Sequence, residues 1–417
     1  MRNNLLCAHD IATVLSSRLL AQKTSAKTSS HGIAENAEKL FSQLSAPERQ
    51  AFAQEAACTF CVPHSVPHPS SVDILAEHIH QQWHDYGNMV CFHSSGTTGT
   101  PVAHRYSITT LQEEAQALAP LFNDCQRIVS VMPSHHIFGF VFSIILPKVL
   151  AVPVLRLPPL PTASFFANLR PADMVLAFPF FWQSLLILLQ QPHSDLYLPA
   201  QVTGISSTAP CPPEIIEGLS CLSRPLANIT EIYGSTETSG IGYRRNPHHP
   251  YTLLSVWRRL TQGKETVIQR VLPAGMEFPP QPMPDEMLWV DSTHFFPQKR
   301  KDYAVQVGGI NVYPQQIAAC IETHPAVQQC VVRLMQPEEG ARLKAFIVPD
   351  PILSQKEIKR IFGLSFRQWL TARLETAARP KSITLGSQLP RNSMGKLADW
   401  PAKKRYPFLE THKEEAL

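Results

Sequence analysis

The chain runs His93-Ser94-Ser95-Gly96-Thr97-Thr98-Gly99-Thr100-Pro101 directly after an apolar stretch, Met89 to Phe92. Glycine lets a backbone approach a bulky anion and take positive φ, while successive N–H and hydroxyl groups donate to phosphate oxygens. The plainer alternative for such a loop is a tight turn between two strands. Further along, Glu231-Ile232-Tyr233-Gly234-Ser235-Thr236-Glu237 sets an aromatic ring, a hydroxyl and a carboxylate on one loop at a strand end. A tyrosine face can stack on a purine, and a carboxylate is a natural Mg2+ ligand. Gly204-Ile205-Ser206-Ser207-Thr208-Ala209-Pro210 is another small-residue loop after a strand. Arg300-Lys301-Asp302 precedes Val307-Gly308-Gly309-Ile310-Asn311-Val312-Tyr313-Pro314, and Pro390-Arg391-Asn392-Ser393-Met394-Gly395-Lys396 ends on an exposed lysine.

These residues need elements to hold them. Up to about residue 88 the pattern is helical. Ser45-Ala46-Pro47-Glu48 is a capping box that opens a helix to about Ala57, and Leu75, Ile79 and Trp83 mark a second amphipathic helix. From 89 to about 245, strands at Ile128–Met132, Met174–Phe178, Val202–Ser206 and Ile229–Tyr233 alternate with helices near 110–119, 180–190 and 212–222, the first capped by Thr110 with Glu113. That alternation predicts an α/β domain with a mostly parallel sheet, whose ligands bind where strands end. After 302 come a strand, the Gly308-Gly309 turn, a helix opened by Pro314, strands at Val327–Leu334 and Leu343–Val348, and a helix around Phe366 to Ala378, together an α+β module.

The bulk numbers fit two or three domains in 417 residues with 44% hydrophobic content. With 37 basic and 33 acidic side chains the net charge of +4 is too slight to imply a nucleic-acid partner. Nine scattered cysteines argue against a disulfide framework and fit a reducing compartment. Cys58 and Cys61 have no second pair at a matching spacing for zinc, so they read as a helix end with two buried thiols. His78, His80 and His84 read as a solvated face. The greasiest stretch, Ile137 to Leu155, is interrupted by Pro147, Lys148 and Pro153 and reads as a buried element, not a membrane span. A soluble, cytoplasmic protein is the expectation.

In this order, the motifs resemble those of the adenylate-forming superfamily, which includes acyl- and aryl-CoA synthetases, peptide-synthetase adenylation domains and luciferases. The resemblance covers roughly residues 89 to 398. It implies a large adenylation domain over 1–300, shortened at its N-terminus, and a small mobile C-terminal domain over 301–417, hinged near Lys301 and Asp302. Ser95, Gly96, Thr97, Thr98 and Gly99 would form the phosphate loop. Tyr233 and Gly234 belong to the family's Tyr-Gly-x-Thr-Glu motif, with Tyr233 stacking on adenine and Ser207, Thr208 and Ala209 lining the adenine and acyl pocket. Thr236 would contact the α-phosphate, Glu237 the Mg2+, and Asp291 with Arg300 the ribose hydroxyls. Lys396 would bridge the substrate carboxylate and the α-phosphate. A swing of the C-terminal domain would then bring Gly308 and Gly309 to the site for attack by a thiol.

The implied activity is ATP- and Mg2+-dependent activation of a small carboxylic acid, followed by thioester formation on coenzyme A or on the phosphopantetheine of an acyl carrier protein. His136, Phe138 and Phe181 are the expected walls of the acid pocket. No aspartate near Ile229 marks an amino-acid ammonium site, so an aryl acid is preferred, with a fatty acid second. Two departures stand out. Val102 replaces the lysine usual after the proline, and Gln306 replaces a second usual lysine. They leave open an impaired protein that keeps the fold for ligand binding or regulation. The kinase-type P-loop is excluded because no Gly-Lys-Ser/Thr closes the loop.

Overall fold

The computed structural model describes residues 6–22, 33–63, 69–94, 102–191, 196–262, 265–271, 279–283, 285–300, 304–336, 339–390 and 397–401, with the backbone alone at 262, 265, 299 and 300. Its contacts divide it into two compact units, the first ending at Lys299 and the second starting at Arg300.

The first unit opens with α1 (Ala8–Gln22), α2 (Ile33–Ser42), α3 (Ala46–Thr59) and α4 (Val72–Trp83). The predicted capping box forms: Ser45 Oγ accepts from the Glu48 N–H, and the Glu48 carboxylate accepts from the Ser45 N–H at 2.9 Å. Leu75, Ile79 and Trp83 are fully buried, as their spacing requires. The thiols differ from expectation, since Cys58 is exposed and Cys61 only half-buried. Ala56, Ala57 and Phe60 occupy the core face there, and Cys61 turns left-handed (φ 53°) just past the helix. His64 and His68, which follow the two thiols in sequence and could with them be read as half a zinc site, lie outside the described residues. His80 Nε2 sits 3.1 Å from the Leu6 carbonyl and His84 Nδ1 2.9 Å from Asn88 Oδ1. Among the described residues no group of three or more His, Cys, Asp or Glu is placed to hold a metal.

Trp83 Nε1 donates to the Met89 carbonyl at 2.8 Å, where β1 (Met89–Ser94) begins. It pairs antiparallel with β2 (Val102–Ser107), from Met89 opposite Ser107 to Ser94 opposite Val102. Residues 95–101 are therefore flanked by a hairpin. Ser107, not Thr110, caps α5 (Ile108–Leu118), accepting from the Thr110 N–H at 3.1 Å. The strand runs into the helix without a linker, so the last strand residue is the cap.

There follow β3 (Arg127–Ser130), α6 (Ile137–Phe140), a π-helical turn over Val141–Ile145, α7 (Leu146–Leu150) and β4 (Val154–Arg156). Next are α8 (Ala163–Asn168), β5 (Asp173–Ala177), α9 (Pro179–Leu189), β6 (Thr203–Ser206), α10 (Pro213–Ser220), β7 (Ile229–Ser235), β8 (Ser239–Arg244) and β9 (Tyr251–Leu253). The unit closes with β10 (Trp257–Gln262), β11 (Glu265–Arg270), β12 (Gln281–Pro282), β13 (Asp285–Trp289) and β14 (His294–Arg300). Pro147 lies in the first turn of α7, where proline is tolerated. Among the described residues no helix is long and apolar enough to cross a membrane.

The described strands build a nine-stranded sheet in the order β13-β14-β9-β8-β7-β6-β5-β3-β4. Its half from β4 to β7 is parallel, as the alternation of strands and helices predicts. Beyond β7 it turns antiparallel, because only residues 236–238 separate β7 from β8 and so short a connection joins antiparallel neighbours. Both faces of the parallel half are buried. Ile128, Met174, Leu176 and Ile205 enter one core with the N-terminal helices, while Val129, Val175 and Ala177 enter another with α9.

The second unit holds the hairpin of β15 (Val305–Val307) and β16 (Ile310–Val312), then α11 (Pro314–Glu322), β17 (Val327–Leu334), β18 (Leu343–Pro349), α12 (Gln355–Ile361), α13 (Leu364–Arg373) and β19 (Ser382–Leu385). β17 runs antiparallel and β19 parallel to β18. Ile317, Ile321, Leu343, Ile347, Phe366 and Leu370 share its core.

Candidate active site

The C-terminal end of β6 lies beside the middle of β7, with Ser206 opposite Glu231. The chain after β6 therefore turns beside the start of the Tyr233 loop. Ser207 Oγ donates to the Ile232 carbonyl at 2.8 Å, and Thr208 takes a left-handed conformation (φ 76°). The buried Thr208 hydroxyl has no hydrogen-bond partner among the described residues. Ala209 follows on the same turn. Below it, the Cys211 N–H donates to Glu231 Oε1 at 3.0 Å, and Arg244 Nε donates to Glu231 Oε2 at 2.6 Å. This buried pair pins β7 from beneath.

Tyr233 is half-buried, its ring centroid 5.7 Å from Tyr251 and 5.6 Å from Phe295, and its hydroxyl donates to Asp285 Oδ2 at 2.6 Å. Gly234 and Gly240 face each other across the β7–β8 ladder. A methyl group on Gly234 would meet the Ser239 carbonyl oxygen at 2.2 Å, so only glycine lets the turn close. The Thr236 carbonyl accepts from the Tyr106 hydroxyl at 2.7 Å. Glu237 is exposed, its Oε1 4.0 Å from His104 Nε2, and that nitrogen is 2.9 Å from Ser94 Oγ. The carboxylate thus stands by the end of the β1–β2 ladder where Ser94 meets Val102. With no further His, Cys, Asp or Glu grouped there among the described residues, a Mg2+ ion at Glu237 would take its remaining oxygens from phosphates and water, which is how that ion is usually held.

The ribose assignment needs correcting. Asp291 is exposed and occupied by its own turn: its Oδ1 accepts from the N–H groups of Thr293 and His294, both at 2.7 Å, and its Oδ2 sits 2.8 Å from His294 Nδ1. Those bonds, the Thr293 N–H foremost, hold its carboxyl well below the usual range. The carboxylate beside Tyr233 is Asp285, only 8% exposed. Sequence reasoning passed over it because it follows a proline-rich loop, 279–284.

Phe181 also needs correcting as a pocket wall. It is fully buried with Phe165 and Trp182 in the α9 core, whereas Tyr233 packs against the other core. A side chain enclosed on the opposite face of the sheet offers no surface to a ligand. His136 and Phe138 are better placed. His136 precedes α6 and is exposed, and Phe138 packs on Phe142 and flanks the same core as Tyr233. Neighbouring His135 meets Ser17 Oγ at 2.9 Å and is held neutral, chiefly by burial. In the second unit Gly308 and Gly309 form the hairpin turn with φ of 59° and 82°, conformations that favour glycine. Ser95, Gly96, Thr97, Thr98, Gly99, Lys301, Asp302 and Lys396 lie outside the described residues, as does the Arg300 side chain.

Comparison with known proteins matches residues 9–267 to the AMP-binding enzyme family and residues 316–396 to the AMP-binding enzyme C-terminal domain. The chain is 37% identical over 307 residues to a 4-coumarate–CoA ligase of Halorhodospira halophila, covering 73% of this chain and 74% of that one. It is 31% identical over 317 residues to the 4-coumarate–CoA ligase of Rhodobacter capsulatus, covering 74% of each. Among solved structures it superposes on an amide bond synthetase from Marinactinospora thermotolerans with a TM-score of 0.57 at 16% identity, over 93% of this chain and 92% of that one. That likeness is one of fold.

Proposed function

The chain belongs to the AMP-binding enzyme family and is an AMP-forming acid–thiol ligase, and from that premise we propose that it joins a small aryl carboxylic acid to coenzyme A through an acyl-adenylate. The observation that carries this reading is the Tyr233–Asp285 hydrogen bond, with the Thr236–Glu237 turn continuing from it to His104 and Ser94 of the β1–β2 pair. Adenine stacks on Tyr233 beside Ser207 to Ala209, and the ribose hydroxyls donate to Asp285 and meet Arg300. Ser95 to Gly99 cradle the β- and γ-phosphates, with Thr236 at the α-phosphate. Glu237 would hold Mg2+, which supplies charge neutralisation on phosphate oxygens when bound.

In the first half-reaction an oxygen of the acid's carboxylate attacks the α-phosphorus and pyrophosphate leaves. Charge gathers on phosphoryl oxygens, so catalysis is a matter of positioning and preorganised donors, chiefly Lys396 and the loop N–H groups. In the second, the thiolate of coenzyme A attacks the acyl carbon and AMP leaves. We assign the halves to two poses of the 301–417 unit, hinged at Lys301 and Asp302, with the Gly308-Gly309 turn serving the thiol step. Aryl acid specificity is supported by the names of the coumarate-activating relatives and by the half-buried Phe138. Coenzyme A is preferred to a carrier protein on the same relatives.

The test is pyrophosphate release across a panel of aryl and alkyl acids, with coenzyme A or a phosphopantetheinylated carrier protein as acceptor. Release that peaks with cinnamate-type acids, needs coenzyme A for turnover and is lost in Lys396→Ala supports the reading. Release with no acid, or release unaffected by that substitution, ends it.

A further inference from the structure

The turn that carries Thr236 and Glu237 is held by residues far from it in sequence. Glu114, on α5, is 1% exposed, and its Oε1 accepts from both Ser239 Oγ and the Gly240 N–H at 3.0 Å. Ser239 is left-handed (φ 59°), a conformation a serine adopts at a cost, and the bond from its hydroxyl offsets that cost. The carboxylate comes so close that a methyl group on Gly240 would meet Glu114 Oε1 at 2.7 Å. Trp257 Nε1 donates to the Gly240 carbonyl at 2.8 Å, fixing the next peptide of the same strand. The second carboxylate oxygen, Oε2, faces Arg270 Nη1 of β11 at 3.9 Å, an ion pair without a hydrogen bond. Arg270 in turn donates to the Thr110 carbonyl at the start of α5. Tyr106 completes the clamp through its hydroxyl on Thr236.

We infer that Glu114 is a positioning residue for the nucleotide site: it sets the β7–β8 turn so that Thr236 and Glu237 are presented to Mg·ATP without being used to hold the turn themselves. This rests on reading that turn as the nucleotide site. Glu114 gives one oxygen to both donors of the turn and turns the other toward the charge of Arg270. A glutamine has only one accepting end, so its amide nitrogen must oppose either Arg270 or the donors of Ser239 and Gly240. Burial makes the arrangement exacting, and it also pushes the Glu114 carboxyl up to about 7 against the pull of Arg270 and the two donors.

The experiment is calorimetric binding of Mg·ATP to the full chain, well below the melting temperature of each variant, together with the KM for ATP and for 4-coumarate. Glu114→Gln is expected to weaken Mg·ATP binding by about tenfold with the KM for 4-coumarate nearly unchanged, the order of one lost hydrogen bond to a charged group. Ser239→Ala, which removes one of the two donors, is expected to give a smaller loss in the same direction. Unchanged Mg·ATP affinity in Glu114→Gln, whatever its melting temperature, overturns the inference. If that variant does not fold, unchanged affinity in Ser239→Ala does so. Thr236→Ala and Glu237→Gln test the premise separately. If they too leave Mg·ATP binding untouched, the turn is not the nucleotide site and both readings fall. If they weaken it while Glu114→Gln and Ser239→Ala do not, only the positioning role is lost.

Discussion

Two polar turns of the first unit each present an exposed carboxylate, and they are built on opposite plans. The Asp291 turn holds itself, with the carboxylate taken up by the N–H groups of Thr293 and His294 and by the His294 ring. The Glu237 turn has one side-chain bond of its own, between the Ser235 and Thr238 hydroxyls at 3.0 Å, and is otherwise held from outside, by Tyr106 on the Thr236 carbonyl, Glu114 on Ser239 and Gly240, and Trp257 on the Gly240 carbonyl. A carboxylate that has spent its lone pairs on its own backbone has little left for a metal or a sugar hydroxyl. A turn braced by distant side chains leaves its carboxylate facing outward. The difference teaches that two exposed carboxylates of the same chemical type can differ in how much of their hydrogen-bonding capacity their own turn consumes.

The comparison is broken most directly at Glu237. Glu237→Gln is expected to cut kcat/KM by about a hundredfold or more, as loss of a charge-stabilising group does, and to raise the Mg2+ concentration needed for half-maximal rate. The same amide change at Asp291 is expected to leave both unchanged. Next in size is Asp285→Asn, expected to raise the KM for ATP by about tenfold, in the range for a lost hydrogen bond to a charged group. A cycle with 2′-deoxy- and 3′-deoxy-ATP sharpens it. The wild type should lose affinity for whichever analogue lacks the hydroxyl bound to Asp285, and the variant should lose little more. Tyr233→Phe removes only the donor to Asp285 and keeps the stacking face, so a loss of about fivefold or less in kcat/KM is expected. A larger loss there would mean that the hydroxyl touches substrate.

Much of this plan can be read in the chain. The capping box at Ser45, the stripe Leu75–Ile79–Trp83 and strands β3, β5, β6 and β7 of the parallel half follow from local signals that tertiary packing reinforces, whereas β4 is hidden at the end of the greasy stretch 137–155. The antiparallel half does not. β8 reads Ser239-Gly240-Ile241-Gly242-Tyr243-Arg244, poor in β-branched side chains, and its glycines are there for close approach. A methyl group on Gly242 would lie 2.8 Å from the Phe295 ring. Helix α12 carried a legible signal, since Ser354 and Glu357 form a capping box, but so short an element is easily passed over. In the site, motif spacing picks out Tyr233, Thr236 and Glu237. The choice between Asp285 and Asp291 depends on hydrogen-bond partners brought together by β13, β14 and β7, and no window of sequence contains that information. Phe181 looks like a pocket wall because an aromatic residue suits a core and a binding site equally, and only the face of the sheet tells them apart.

The smallest effect is also the cleanest test of the self-held turn. The depressed carboxyl of Asp291 means the folded state favours its ionised form, through the Thr293 N–H first and then the His294 ring. A group whose folded pKa lies below its unfolded value stabilises the protein at pH above the unfolded value, about 3.9 for an aspartate, and that contribution disappears as pH falls toward the folded value. Asp291→Asn should therefore melt slightly below the wild type at pH 7, and the gap should shrink once the pH drops below about 4. Arg259, whose guanidinium donates to the Asp291 carbonyl at 3.0 Å, is common to both proteins. Kinetics at pH 7 should be indistinguishable. A gap that does not change with pH would mean that the turn does not depend on the charge. A change in the KM for ATP would return Asp291 to the nucleotide site and erase the contrast with Glu237.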